Sequence, residues 1–491
     1  MPDAPDALSR LARTRPHDEA VRDADGRTVD YLGLDRRVAR AAAEAASLPG
    51  TIGLLAPSGI EWTIAYLGLM RAGKTIVPLP AFFSDGQIGH AVADAEIGHI
   101  LCDRTTMSRA AAFGTSVSRI DGPAMPTPAG TRGLGGAPGG ANWSLIVYTS
   151  GSTGAPKGVR LGPAQVRHAA KALAAAIAAS DREVYLSVLP LPLLLEQLCA
   201  IHVPLRVGAR VAFAGEPASG PALAEAAAAV HATATVLVPQ LLGAWVAAIE
   251  AGMPPPDGRL RMVATGGARV PEELAERAWT VGLPVHEGYG LSECCAVVAL
   301  NRPGDRVPGT VGRPLPGVNV VLDDGEIVVG GPTVMDGYLH GKLSPAGMWR
   351  TGDLGAFDAA GRLVVLGRKD STLVTAGGRN VVPEWVEAMI LADPRIACAA
   401  LTLDGAQALV AVVVPHARFE RALSGLDVAA SGAWISSLLA AAPAYARPAR
   451  SFVVPFADAA AAGLVTGNGR PRRAAIAAFV AGDGLAAIHA V

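Results

Sequence analysis

Short apolar runs and longer helical runs alternate along the first half of the chain. TIGLLAP (Thr51–Pro57) is a continuous apolar run of strand length. EWTIAYLGLMRAG (Glu61–Gly73) reads as a helix closed by Gly73. KTIVPLP follows as a strand, a helix runs to Ala95, and HILCD is the next strand. Apolar runs of this length between helical ones predict strands covered on both faces, and therefore a largely parallel sheet under helices. The alternation resumes with SLIVYTS, a helix from about Pro163 to Ala179, EVYLSVLP, ARVAFAG, ATVLVPQ and LRMVATGG. Between the two halves, residues 121–141 are rich in Gly and Pro and read as a loop or linker. From Val318 the texture changes. NVVLDDGEIVVGG predicts a hairpin turning at Asp324-Gly325. GRLVVLGRKDSTLVTAG predicts two further strands meeting near Arg368–Asp370. The last 120 or so residues mix helices with the β run AQALVAVVVP, enough for a small α+β domain. The expected class is α/β: a large N-terminal domain with helix-covered, largely parallel sheets and a small β-rich subdomain, then a small α+β C-terminal domain.

Composition narrows this picture. At 491 residues the chain suits two or three domains. A formal net charge of -1 provides no basic field for nucleic acid and no charge run for an anionic membrane. The five cysteines (Cys102, Cys199, Cys294, Cys295, Cys398) form no CxxC pair or metal-ligand spacing and read as small buried hydrophobes in a reducing compartment. MPDAPDALSRLARTRPHDEA lacks a charged-then-apolar leader pattern. The most apolar stretch, Val184 to Leu205, carries Pro190, Pro192, Pro204 and Glu196, so no integral membrane segment is expected. The expected location is cytoplasmic.

The chemistry concentrates in YTSGSTGAPKGV (Tyr148–Val159). The apolar Leu145–Val147 run delivers the chain into a loop where Gly151 and Gly154 permit conformations that side chains forbid. Thr149, Ser150, Ser152 and Thr153 add hydroxyls, and Lys157 adds a mobile cation. Together they form a cradle for phosphate oxygens. The pattern is not GxxxxGK[ST]: Pro156 precedes Lys157, and no Ser or Thr follows it. On the loop's own chemistry, an ordinary Gly/Ser turn is the alternative.

Four more strings follow in order: GYGLSE (Gly288–Glu293), WRTGDLG (Trp349–Gly355), GRKDSTLVTAGGRNVVPEWVE (Gly367–Glu387) and TGNGRPRR (Thr466–Arg473). With the loop, they resemble the five signatures of the acyl-adenylate-forming superfamily, which includes acyl-CoA synthetases, the adenylation domains of peptide synthetases, and luciferases. The resemblance implies that a carboxylic acid and ATP give an acyl-AMP and pyrophosphate, after which the acyl group passes to a thiol. Under it, Thr149, Ser150, Gly151, Ser152, Thr153, Gly154 and Lys157 hold the β- and γ-phosphates. Gly288, Tyr289 and Gly290 form the adenine platform, with Tyr289 stacking on the base, and Gly266, Gly267 and Ala268 lie beside adenine and the acyl pocket. Ser292 stands where the family usually has Thr and would donate to the α-phosphate. Glu293 would bind Mg2+, for which a hard oxygen donor is suited. Asp353 and Arg368 would hold the ribose hydroxyls. Gly377 and Gly378 would line the tunnel for CoA or for the phosphopantetheine arm of a carrier protein. Asp370 falls at the hinge, dividing an adenylate-forming domain, 1–369, from a mobile C-terminal domain, 370–491, that swings between half-reactions. Arg470 replaces the family's catalytic lysine. It keeps the charge but changes its shape.

The string LPLPLLLEQ (Leu189–Gln197) resembles LPLxHxxE of long-chain acyl-CoA synthetases, with Leu193 at the His position as an apolar pocket wall. A fatty or otherwise apolar acid is therefore the expected small-molecule substrate. Two alternatives stay open: a catalytically weakened protein that binds nucleotide or acyl-adenylate, and a family member that uses the adenylate for amide formation or ring closure.

Overall fold

The structure is a computed structural model describing residues 3–121, 143–149, 156–215, 219–341, 347–376, 379–423, 426–466 and 471–482. The chain divides into two compact units. The larger comprises Met1–Ala268, Arg277–Val321 and Val328–Trp349; the smaller comprises Arg269–Glu276, Leu322–Ile327 and Arg350–Val491.

In the larger unit the apolar runs become strands of two sheets. One sheet places Thr51–Leu55 between the parallel strands Thr75–Pro78 and His99–Cys102, with Ser144–Thr149 and Ser116–Arg119 beyond them. Ile88, Ala91 and Val92 of the Asp85–Asp94 helix join Leu55, Val77, Ile100 and Tyr148 in one core, which is why those strands carry no polar alternation. The second sheet has nine strands. Its parallel centre is Val285–Tyr289, Met262–Thr265, Ala234–Leu237, Val184–Ser187 and Arg210–Phe213. In such a sheet, ligands collect beyond the carboxyl ends of the strands. Those ends here are Thr265-Gly266 and Tyr289.

Three local expectations change. The helix from Pro163 ends at Ala176, because Ala178 takes a left-handed φ of 49°. The Ser144–Thr149 strand pairs antiparallel with a further strand, Lys157–Leu161, with Thr149 opposite Lys157. The expected meeting of two strands near Arg368–Asp370 is instead a change of partner. Leu363–Arg368 pairs with Met348–Phe357, placing Asp353 opposite Arg368, whereas Leu373–Val374 pairs with Asn380–Val381. The expected hairpin is present: Asn319–Asp323 and Glu326–Gly330 flank Asp324 and Gly325, whose φ values of 51° and 75° give the doubly left-handed turn that twisted hairpins favour.

In the smaller unit, Ile396–Leu403, Leu409–Pro415 and Arg450–Val453 form a three-stranded sheet. Alternate residues serve opposite faces. Ala399, Leu401, Ala411 and Val413 pack with Val386, Ile390 and Ile435; Cys398, Ala400, Val410 and Val412 pack with Ala459, Ile476 and Val480. Both faces are covered, so the run reads as apolar throughout.

Candidate active site

The larger unit gathers most of the sequence-derived candidates that lie among the described residues. Tyr289 ends the Val285–Tyr289 strand and pairs with Ala299, while Gly288 pairs with Leu300. A Cβ on Gly290 would come within 1.6 Å of the Ala296 carbonyl oxygen, so the tight return after Tyr289 requires glycine. A Cβ on Gly266 would lie 3.2 Å from the Gly288 carbonyl oxygen, so the two strand ends are closely juxtaposed. Gly267 takes a left-handed φ of 79°, and Gly267 and Ala268 are exposed at the rim. Ser292 and Glu293 lie in a single 3-10 turn, Ser292–Cys294.

Glu293 is held from two sides. Its carbonyl accepts the Met335 N–H at 2.8 Å, and its carboxylate Oε1 accepts the Tyr338 hydroxyl at 2.8 Å. The other carboxylate oxygen has no hydrogen bond among the described residues. Tyr338 belongs to a short strand, Gly337–Tyr338, added to the edge of Lys157–Leu161. Its ring packs edge-on against Trp349, and the Lys157 ammonium lies 5.5 Å from its centroid. One tyrosine thus connects the lysine of the glycine-rich string to the candidate metal-binding carboxylate. No sequence pattern marked Tyr338, because its partner is 45 positions away.

The start of the Lys157 strand is anchored by His90, whose Nε2 donates to the Pro156 carbonyl at 2.9 Å. Tyr148 donates to Asp94 at 2.6 Å; burial, reinforced by that carboxylate, pushes its phenol pKa upward. Thr149 is half-buried at the end of its strand. Ser150, Gly151, Ser152, Thr153, Gly154, Gly377, Gly378 and Arg470 lie outside the described residues.

Leu193 is half-buried and precedes the Leu194–Gln197 helix, which passes through a π-helical turn, Leu198–His202, into Val203–Val207. Such turns are uncommon and concentrate at functional sites. Glu196, left without a role by the sequence, is fully buried and accepts Ser187 Oγ at 2.6 Å and Tyr185 OH at 3.0 Å. Burial pushes its pKa up to about 8, although the two hydroxyls and the Leu189 and Val188 amides pull the other way. Tyr185 also lines a small cavity of about 50 Å³ with almost entirely apolar walls, shared with Cys199, Val203, Val236, Met262 and Ala264 among others.

In the smaller unit, Arg368 Nη1 donates to Asp353 Oδ1 at 2.9 Å and to the Thr351 carbonyl at 2.9 Å. Its Nε donates to Asp370 Oδ1 at 3.1 Å. Burial opposes the Arg368 charge, but the Asp370 and Asp353 carboxylates more than offset this and raise its pKa. The hydrogen bond from Arg368 holds Asp370 below its ordinary value. The expected ribose pair and the expected hinge residue are therefore one connected cluster.

The AMP-binding enzyme family model matches residues 8–339, about two-thirds of the chain. The chain belongs to this family. The long-chain-fatty-acid–CoA ligase FadD15 of Mycobacterium bovis is 40% identical over 153 residues, 30% of this chain and 26% of that protein. The match thus spans about a quarter of that relative's length. The salicyl-AMP ligase / salicyl-S-ArCP synthetase of Mycobacterium tuberculosis is 29% identical over 441 residues, 80% of this chain and 77% of that protein. Among solved structures, the anthranilate CoA ligase AuaEII in complex with anthranoyl-AMP shares the fold, with a TM-score of 0.82 and 19% identity over 92% of this chain and 93% of that one. Among the described residues of this AMP-binding family member, no helix is long and apolar enough to cross a membrane.

Proposed function

We propose that this AMP-binding family member activates an apolar carboxylic acid with ATP and passes the acyl group to a thiol, releasing AMP and pyrophosphate. The observation that carries the reading is the Lys157–Tyr338–Glu293 arrangement next to the closely approached ends at Gly266 and Gly288. It brings a cation and an oriented carboxylate to one tyrosine, the carboxylate lying four residues beyond the end of the Val285–Tyr289 strand, and nucleotides bind beyond the carboxyl ends of parallel strands in such folds. In this reading Lys157, with the hydroxyls and amides of the 149–154 string, holds the β- and γ-phosphates. Tyr289 stacks on adenine, and Asp353 with Arg368 takes the ribose hydroxyls. Ser292 donates to the α-phosphate.

Glu293 fits a magnesium ion by donor chemistry. It is a hard oxygen ligand, oriented through one oxygen and open at the other. The ion's contribution is to neutralise phosphate charge as the acid's carboxylate attacks the α-phosphorus. The protein's own residues position and stabilise. Arg470 meets charge developing between carboxylate and α-phosphate. In the second half-reaction the thiol attacks the acyl carbon and AMP leaves, with Gly377 and Gly378 lining the thiol's approach and the segment after Asp370 moving as the mobile domain.

Leu193, half-buried ahead of the Leu194–Gln197 helix and read as an apolar pocket wall, supports an acid with a hydrocarbon or aryl body. The acceptor is CoA or a carrier-protein phosphopantetheine. The likeness to a salicyl-S-ArCP synthetase over most of the chain supports keeping the carrier protein in view. Pyrophosphate release and thioester yield, measured over a panel of fatty, aryl and amino acids with CoA or carrier protein, test the reading. It predicts turnover with an apolar acid, ATP and a thiol together. Nucleotide binding without pyrophosphate release would favour a binding protein. Pyrophosphate without thioester would favour another fate for the adenylate.

A further inference from the structure

In the larger unit, three helical segments, Ala4–Thr14, Pro163–Ala176 and the stretch from His202 through Val203–Val207, leave a cavity of about 280 Å³ between them. Its walls are small: Ala4, Ala7 and Ala170 contribute only methyl groups. Charged side chains supply the rest. Arg10 shares a helix face with Asp3 and Ala7, Arg167 stands one turn from Ala170, and Arg206 stands one turn from His202.

Two guanidinium groups without an ion pair among the described residues, those of Arg10 and Arg167, thus border a space with a single carboxylate, whose charge acts on Arg167 but whose hydrogen bonds go to other groups. Asp3 accepts the Asp6 N–H at 3.1 Å and the Trp143 indole N–H at 3.2 Å. His202 adds no charge. Its Nε2 lies 3.1 Å from the Tyr66 hydroxyl, and burial lowers its pKa to about 3. Arg167 makes no hydrogen bond or ion pair among the described residues. Arg10 spends one N–H on the Arg206 carbonyl at 3.2 Å and reaches no carboxylate among the described residues. Like charges gathered around one cavity repel unless an anion lies between them, and guanidinium is the side chain suited to phosphate oxygens.

We propose that this cavity binds a small, multiply charged phosphate-class anion, with inorganic pyrophosphate as the best-fitting member, at a place apart from the proposed adenylation site. Its volume lies just under the roughly 300–1,000 Å³ of drug-sized ligand pockets, which favours a pyrophosphate-sized anion over a whole nucleotide. Asp3 sets an upper limit on affinity, because its field opposes any anion that Arg10 and Arg167 attract.

The test is calorimetric titration of the full chain with inorganic pyrophosphate, and in parallel with inorganic phosphate, without magnesium. Every arm carries Lys157→Ala to silence the glycine-rich string. On this background Arg10→Gln/Arg167→Gln is expected to weaken binding by about tenfold or more, and Asp3→Asn to tighten it about threefold or more, from the Coulomb terms at intermediate dielectric. Asn keeps the helix cap and an acceptor for Trp143. Opposite signs for the two changes distinguish an electrostatic site from a structural effect, and Arg167→Gln alone serves if the double variant unfolds. The same pattern with phosphate would support the anion class with a smaller occupant. Unchanged dissociation constants in both variants, or no binding of either anion on the Lys157→Ala background, would overturn the proposal. Because Lys157 is already removed, a negative result leaves the adenylation reading untouched.

Discussion

Glu293 gains its orientation from Tyr338, whose hydroxyl is bonded to one carboxylate oxygen while its ring faces the Lys157 ammonium. Partners of metal ligands typically govern metal affinity by about 10–100-fold. Tyr338→Phe is therefore expected to raise the magnesium concentration needed for half-maximal pyrophosphate release by about tenfold while leaving the fold intact. An unchanged magnesium dependence would remove Tyr338 from the site. Glu293→Gln should abolish most turnover in a folded protein.

Glu196 makes a second residue-scale prediction, about pH. Its folded pKa of about 8 lies above the ordinary carboxyl value, so the folded state holds a proton that the unfolded chain releases. Stability is thus favoured below the unfolded value and falls as pH rises toward 8. At ~1.4 kcal/mol per unit, roughly 3 kcal/mol is the upper bound for the loss between about pH 5.5 and about pH 8. Denaturant melts of wild type and Glu196→Gln at the two pH values should show the glutamine variant gaining relative stability as pH rises. A pH-independent difference would mean that Glu196 is ionised in the fold. Glu293 and Lys157 were legible in the sequence because their strings are local. Tyr338 and the hydroxyl cage of Glu196 were not, because tertiary pairing creates them.

At the scale of elements, Arg473 ties two helices of the smaller unit together. Its Nη1 and Nη2 donate to Glu387 at 2.7 and 2.5 Å, and the same carboxylate accepts the Leu401 N–H at 2.7 Å. The carboxylate is buried, which raises its pKa, while the Arg473 side chain is 34% exposed. Removing one partner of a buried pair costs about 3–5 kcal/mol, and partial exposure lowers the expectation for Arg473→Ala to about 2 kcal/mol. The check is the denaturation midpoint of this unit, and a loss below ~0.5 kcal/mol would contradict it. The buried strands here were legible from apolar runs with covered faces. Met348–Phe357 was not, because only Thr351 and Gly355 along it are buried, and its sequence looks like a polar loop. The return strand at Lys157 was hidden for a related reason, since the glycine-rich string drew the reading toward a loop.

For the whole molecule, the alternation of apolar and helical runs was enough to predict the α/β class, and the order of five strings was enough to predict the family. The acid's identity was not legible, because a pocket wall comes together through tertiary packing, and local strings offered only Leu193, Gly266 and Gly267 for it. Arg470 makes the prediction that belongs to the complete cycle. Removing a positioned donor to developing charge costs about 10²–10³ in rate. Arg470→Ala should lose that much acyl-AMP formation while largely retaining thioester formation from supplied acyl-AMP. Arg470→Lys should retain or raise the first rate. Equal loss in both half-reactions would assign Arg470 to folding or domain docking instead.

Exchange of labelled pyrophosphate into ATP measures the joining of an acid to AMP by the protein itself, without needing the thiol acceptor. Exchange should require an apolar carboxylic acid and magnesium, disappear in Glu293→Gln and fall by about two to three orders of magnitude in Arg470→Ala. Exchange absent with every acid tested in a folded, ATP-binding protein, or undiminished in Glu293→Gln, would contradict acid activation by the protein.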